Sequence, residues 1–236
     1  YYASRGLGDV YKRQTRDQQA RLLATAGEDL RPDVYSHSSI RNLYLDTPDF
    51  RLIRRSLEKP VYKEKLRLRS YGRTERDSPV FMELKKKYRS IVYKRRLTLP
   101  YDRALDCLTG ACPWPETQIG GEIRYTVDFY PDLESRVFLA YERDSWLAPE
   151  SGLRITFDDA IRFRTEELTL DSDPWGTALL GPDQVLMELK APGAIPLWMV
   201  RLLTEMRLYK TSFSKYGTAY QLLLEREWKD LLTKVK

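Results

Sequence analysis

Apolar and polar residues alternate with a period of two in segment after segment through the middle of the chain, the pattern of strands with one buried face. It runs over 40–46 (IRNLYLD), 61–71 (VYKEKLRLRSY), 80–88 (VFMELKKKY), 91–99 (IVYKRRLTL), 123–130 (IRYTVDFY), 137–144 (VFLAYERD), 153–158 (LRITFD) and 185–190 (VLMELK), which predicts eight strands. Arg89-Ser90 joins two of them as a tight hairpin, and Ser70 to Pro79 is a polar loop between two others. Helical signals lie on either side. Thr15 to Ala26 has Thr15 as an N-cap and Gly27 just past its end, and Tyr101 to Leu108 reads as a helix outside the sheet. Leu197 to Leu208 is helical, and a longer helix starts near Ser214, its N-cap, and puts Lys215 in its first turn. No repeat or interdomain linker interrupts 15–236, which reads as a single domain.

Tyr1 to Gln14 (YYASRGLGDVYKRQ) has no period and no caps. We expect 1–14 to be a non-native read-through segment or a disordered tail, and leave it out of the fold. Its Gly6-Leu7-Gly8 is not a nucleotide loop, because no strand precedes it and no third glycine follows at the right spacing.

Splitting each strand into its two faces shows where the charge lies. In 61–71, Lys63, Lys65, Arg67 and Arg69 share one face; Glu83, Lys85 and Lys87 repeat the pattern in the next strand, and Lys94 and Arg96 in its hairpin partner. Arg154, Thr156 and Asp158 form a later stripe, and Glu188 with Lys190 another. A half-exposed antiparallel sheet accounts for polar stripes. It accounts less well for adjacent cationic ones, since two like charges ~4 Å apart cost about 4 kcal/mol at an effective dielectric of ~20, against about 1 kcal/mol in bulk water. The alternative is a sheet curled around an anion. Eight strands suffice to close a barrel that holds one small ligand.

Overall charge sharpens this. The chain carries +6, but Lys63 to Arg96 alone holds thirteen Lys/Arg against four Asp/Glu, so the remainder is net acidic. A mildly acidic body with one strongly basic segment implies an anionic partner: a phosphate-rich small molecule, nucleic acid or a membrane surface. With 236 residues and 42% apolar content the chain builds a proper core. One histidine (His37) and two cysteines (Cys107, Cys112) exclude a His/Cys zinc site, an HExxH protease and a disulfide framework, so any metal sits on oxygen ligands. No stretch approaches ~18 consecutive apolar residues and no signal sequence opens the chain, which makes the cytoplasm the default compartment. His37 reads as a solvent-exposed turn residue, Asp46 as support for a turn, the cysteines as free thiols, and the five scattered tryptophans as packing residues.

The motifs then resemble a known family. KLRLRSY (65–71), MELKKK (82–87) with Lys94 following, YER (141–143), RITFD (154–158), MELK (187–190) and FSKY (213–216) occur in the order of the VTC-type polyphosphate polymerase domain, a triphosphate tunnel metalloenzyme of the CYTH-like superfamily. The resemblance spans about Ile40 to Tyr220. It implies an α+β fold: an antiparallel eight-stranded β tunnel, closed or nearly closed as a barrel, with flanking helices and a C-terminal helical segment. It also implies that Lys65, Arg67, Arg69, Lys85, Lys94, Arg143, Arg154, Lys190 and Lys215 bind phosphate, and that Glu188 is the principal ligand of Mn²⁺ or Mg²⁺. Glu83 is either a second metal ligand or a partner to Lys85 or Lys94 across the sheet. The family's opening strand, with alternating Glu and Lys, is missing here, so the chain reads as N-terminally truncated, with an open edge where a tunnel wall belongs.

The implied reaction moves the ATP γ-phosphoryl group onto a polyphosphate chain. Two alternatives stand beside it: hydrolysis of inorganic or nucleoside triphosphate on the same fold, and a non-catalytic module binding polyphosphate or nucleic acid through Lys63 to Arg96. Expected partners are ATP and polyphosphate. Nucleic acid is disfavoured by the absence of any RNP-like, KH-like or helix-turn-helix signature, and a membrane-protein partner would leave no trace in the sequence.

Overall fold

All but one of the alternating segments become strands. The computed structural model describes residues 3–4, 10–89 and 91–234. In order they form β1 (Ala3–Ser4), β2 (Val10–Thr15), α1 (Arg16–Ala26), a 3-10 turn (Gly27–Asp29), β3 (Arg31–Asp46), α2 (Arg51–Leu57), β4 (Tyr62–Tyr71), β5 (Pro79–Tyr88), β6 (Ile91–Pro100), α3 (Tyr101–Thr109), α4 (Gln118–Phe129), β7 (Glu134–Ala148), β8 (Leu153–Arg164), β9 (Thr177–Ala178), β10 (Gln184–Lys190), α5 (Leu197–Glu205) and α6 (Lys215–Lys234). The helices expected at 15–26, 101–108 and 197–208, and the one beginning near Ser214, are α1, α3, α5 and α6. Thr15 caps α1 in a reciprocal capping box with Gln18, and the Ser214 hydroxyl accepts the Gly217 amide at 3.1 Å to cap α6.

Segment 123–130 is a correction: it is helix α4, not a strand. The Thr117 side chain caps it through the Gly120 amide, and Gly120, Ile123 and Thr126 recur every third residue on its buried side. A Cβ at Gly120 would stand 2.3 Å from the Pro115 carbonyl oxygen, so the first turn closes onto the preceding loop because this residue is glycine. Capping and packing here override the β propensity of IRYTVDFY.

The sheet is antiparallel, ordered β1-β6-β5-β4-β3-β7-β8-β10-β2, with β9 attached to β8. Among the described residues it is not closed into a barrel. Its outermost strands, β1 and β2, pair with β6 and β10 respectively, and β1 contributes two residue pairs only. Half of the segment left out of the fold, 1–2 and 5–9, lies outside the described residues. Val10–Thr15, in contrast, pairs along β10 from Gln184↔Thr15 to Leu189↔Val10 and so belongs to the sheet.

The two faces of the sheet differ sharply. On the outer face, Leu43, Leu66, Leu68, Met82, Leu84 and Phe138 pack with α3 and α4, and Ile155, Phe157, Met187 and Leu189 with α1 and α5. The inner face is apolar where Ile40, Leu139, Ile161 and Phe163 meet Tyr216, Ala219 and Tyr220 of α6, and ionic elsewhere. Among the described residues no helix is long and apolar enough to cross a membrane.

Asp46 ties α6 to this frame. Its fully buried carboxylate accepts the amides of Thr47 (2.9 Å), Leu52 (2.8 Å) and Ile53 (3.0 Å) and the Tyr216 hydroxyl (2.8 Å). The expected turn is therefore also the anchor that starts α2. Asp46→Ala strands four donors and should lower stability by about 3 kcal/mol, read as a lower urea midpoint at unchanged slope. An unchanged midpoint would show that the anchor is not needed.

Candidate functional site

Antiparallel partners share a face, so the register aligns the ionic stripes. Tyr44, Arg67, Glu83 and Arg96 are successive Cα partners across β3 to β6, with the row Lys65, Lys85, Lys94 beside them. In the other half of the sheet Arg143 lies opposite Asp158, and Ser145, Thr156 and Glu188 form the adjacent row.

Glu83 is the centre of the first group. Its side chain is 1% exposed. Oε2 accepts from Arg67 Nε (2.9 Å) and Nη2 (2.6 Å), and Oε1 from Lys94 Nζ (2.8 Å) and Arg96 Nε (2.8 Å), with Arg69 Nε 3.7 Å away. Burial pushes this carboxyl upward, but the Arg67, Arg69 and Lys94 charges outweigh it and hold the group far below the usual carboxylate range. One carboxylate shared by four cations makes the adjacent like-charged stripes tolerable and leaves a net positive cluster.

The second group centres on Asp158, also fully buried. Arg143 grips it in a fork, Nε to Oδ1 at 2.6 Å and Nη2 to Oδ2 at 2.8 Å, and Lys215 Nζ meets Oδ2 at 2.5 Å. Asp158 offsets the unfavourable position of Lys215 in the first turn of α6. Glu188 pairs with Lys190 at 2.9 Å and lies 3.7 Å from Arg143. Burial opposes ionisation of Glu188, but Lys190, Lys215 and Arg143 hold its pKa low.

Arg69 and Tyr141 join the groups. Arg69 donates to Asn42 Oδ1 (2.9 Å) and to the Tyr141 hydroxyl (3.3 Å), while Arg143 and Lys215 sit over the Tyr141 ring at 5.3 and 4.6 Å. Arg67 donates to the Tyr44 hydroxyl (2.9 Å), and Tyr44 stacks on Tyr216 of α6. Lys65 Nζ donates to Ser214 Oγ at 2.9 Å, so the helix cap also positions a site lysine.

The structure thus brings Lys65, Arg67, Arg69, Glu83, Lys94, Arg143, Glu188, Lys190 and Lys215 onto one face, and register adds Lys85 between Lys65 and Lys94. Arg154 is set apart. It faces the same way but lies at the rim, its side chain 58% exposed and paired with Asp33. Asp158, Arg96, Asn42, Tyr44 and Tyr141 were missing from the expected set. Alternation with Arg154 and with Lys94 marks the first two, whereas no charge marks Asn42 or the tyrosines. His37 pairs with Asp144 and Glu142, which flank Arg143 and point to the opposite face, and the two cysteines are free.

For a divalent cation the donor chemistry separates the acids. Glu83 takes its alternative role, as partner to Lys94, and with four cations around it does not fit a metal. Glu188 fits better than Glu83 or Asp158, whose oxygens are taken by cations: its Oε2 has Arg143 no nearer than 3.7 Å, and the Thr156 hydroxyl, on its Cα partner, is buried without a hydrogen-bond partner among the described residues. No cluster of three His, Cys, Asp or Glu occurs among the described residues, so phosphate oxygens would complete such a coordination sphere.

Comparison with known proteins places this geometry. The VTC domain family profile matches residues 12–224. The structure is similar to a candidate adenylate cyclase from Bacillus halodurans (14% identity, 88% of this chain and 96% of that one, TM-score 0.51). Weaker similarities join it to a candidate adenylate cyclase from Vibrio parahaemolyticus (13%, 92% and 99%, TM-score 0.49) and to a candidate adenylyl cyclase from Hippeastrum with a dominant triphosphatase activity (14%, 89% and 92%, TM-score 0.45). No curated protein matches the sequence.

Two lysines give a pH test. Burial, reinforced by Lys85, Lys63 and Arg67, pushes Lys65 down to about 8, and burial pushes Lys94 down to about 8 against the pull of Glu83. A bound polyanion favours their charged forms, so binding inorganic triphosphate takes up protons at pH 8 and almost none at pH 6, where both are already charged, and affinity falls as pH rises through about 8. Calorimetry in buffers of different protonation enthalpy reads this uptake. Buffer-independent heats at pH 8 would contradict it.

Proposed function

Because the chain belongs to the VTC domain family, we propose that its inner face transfers the γ-phosphoryl group of ATP to the end of a polyphosphate chain, with a divalent cation as cofactor. The observation that carries this is the pair of linked ionic groups: a cation-rich cluster around Glu83, joined through Arg69 and Tyr141 to the carboxylates Asp158 and Glu188.

Phosphoryl transfer demands alignment and neutralisation of charge on the equatorial oxygens more than covalent chemistry. Arg67, Arg69 and Arg96 present guanidinium forks to phosphate oxygens, while Lys65 and Lys94 add point charges. Glu83 holds the forks in place before substrate arrives, so little reorganisation accompanies binding. Arg143 and Lys215, oriented by Asp158, meet the phosphates on the other side of Tyr141. Glu188 would hold Mn²⁺ or Mg²⁺, which when bound supplies Lewis-acid polarisation of a phosphoryl oxygen. The attacking group is the terminal oxygen of the acceptor, an anion already, which explains how such a site works without a side-chain nucleophile.

Incubation with ATP and Mn²⁺ should yield ADP and long-chain polyphosphate, resolved on a urea gel. Orthophosphate as the sole phosphate product would overturn transfer in favour of hydrolysis. Glu188→Gln and Arg67→Ala should each lower turnover by about 10²-fold or more. Full metal-dependent turnover in Glu188→Gln would remove it from the metal site.

A further inference from the structure

The cation cluster grips phosphate but does nothing to tell a nucleotide from inorganic triphosphate. The end of the same face does carry such a device. Tyr71 closes β4 on the same alternation as Arg69 and Arg67, roughly 7 Å further along for each step of two residues. Its side chain is half exposed. Its ring meets Phe81, the Cα partner of Arg69, edge to face at 5.6 Å and 77°. On the face of Phe81 lies Arg96 at 4.7 Å, the arginine that also pairs with Glu83 at the heart of the cluster. Thr98, the Cα partner of Phe81, is exposed beside them.

We propose that Tyr71, backed by Phe81 and Arg96, is a stacking ledge for the base of a nucleoside triphosphate whose phosphates lie on Arg67, Arg69 and Lys94. This rests on the proposed function in taking the cluster as the phosphate site. A half-exposed aromatic at the end of a row of phosphate-binding cations is where the remainder of a nucleotide must go, since ribose and base are covalently attached to the phosphates bound there. Phe81 already carries Arg96 on its face and Tyr71 against its ring, and Tyr71 is the more exposed of the two aromatics. Stacking tolerates any base because every base has a π face, so the ledge selects nucleotides over inorganic triphosphate rather than one base over another.

Titration calorimetry with inorganic triphosphate and with the non-hydrolysable β,γ-imido analogue of ATP tests this. Tyr71→Ala should weaken the analogue by about 10-fold or more while leaving inorganic triphosphate within about twofold, and Tyr71→Phe should bind both as the parent chain does. Tyr71 stands at a strand end, so its truncation spares the core. Equal weakening of both ligands would reduce Tyr71 to a support for Arg96, and an unchanged analogue affinity would remove the ledge; either result overturns the proposal. The two readings fail separately. Analogue binding that depends on Tyr71 without any polyphosphate formed sinks the transfer reaction and keeps the ledge, whereas polyphosphate formed with Tyr71-insensitive binding does the reverse. If neither ligand binds the parent chain, both fall.

Discussion

One buried carboxylate makes the rest of the site possible. Lys65, Arg67, Arg69, Lys94 and Arg96 occupy neighbouring positions on adjacent strands, an arrangement whose mutual repulsion grows as water is excluded. Glu83 counters this by accepting from Arg67, Lys94 and Arg96 at 2.8 Å or so and lying within 4 Å of Arg69. The neutralisation is partial by construction. A site with no internal carboxylate would not fold easily, and one with a carboxylate for each cation would have nothing left for phosphate. Asp158 does the same for Arg143 and Lys215, which shows a shared principle: each anion orients more than one cation and leaves residual positive charge facing inward.

The fold serves this electrostatics by sorting the two faces of a single sheet. Four helices, α1, α3, α4 and α5, bury the apolar outer face. That frees the inner face to be ionic, with α6 laid across it. Helix α6 is held from three sides: Asp46 takes the Tyr216 hydroxyl, Ser214 takes Lys65, and Asp158 takes Lys215. Its N-terminal turn is thereby part of the site and not merely a cover.

Much of the site was legible in the sequence because alternation is a strict rule in strands. Alternation puts Lys65, Arg67, Glu83, Lys94, Glu188 and Lys190 on polar strand faces, the family resemblance marks them as site residues, and the structure gathers them on one face. Where periodicity was silent or ambiguous, the reading ran out. The segment IRYTVDFY fits a strand and a helix about equally, and the deciding features were the Thr117 cap and the close approach of Gly120 to Pro115, neither a periodic signal. Helix α2 went unseen because it depends on Asp46, five residues upstream of its first turn, reaching the Leu52 and Ile53 amides. Tyr44 and Tyr141 carry no charge that an ionic stripe would reveal, although their hydroxyls are what Arg67 and Arg69 bond to. Barrel closure rests on the first residues of the chain, where no alternation is present to read, and among the described residues β1 and β2 do not pair.

The central claim is that these partially neutralised cations converge on one chain of phosphates. A crystal structure of the protein with inorganic triphosphate tests it most directly. The account predicts phosphate oxygens on the inner face, within hydrogen-bonding distance of Arg67, Arg69 and Arg143. Triphosphate bound instead to the outward-facing Lys86 and Arg95, with the inner face holding no anion, would contradict it.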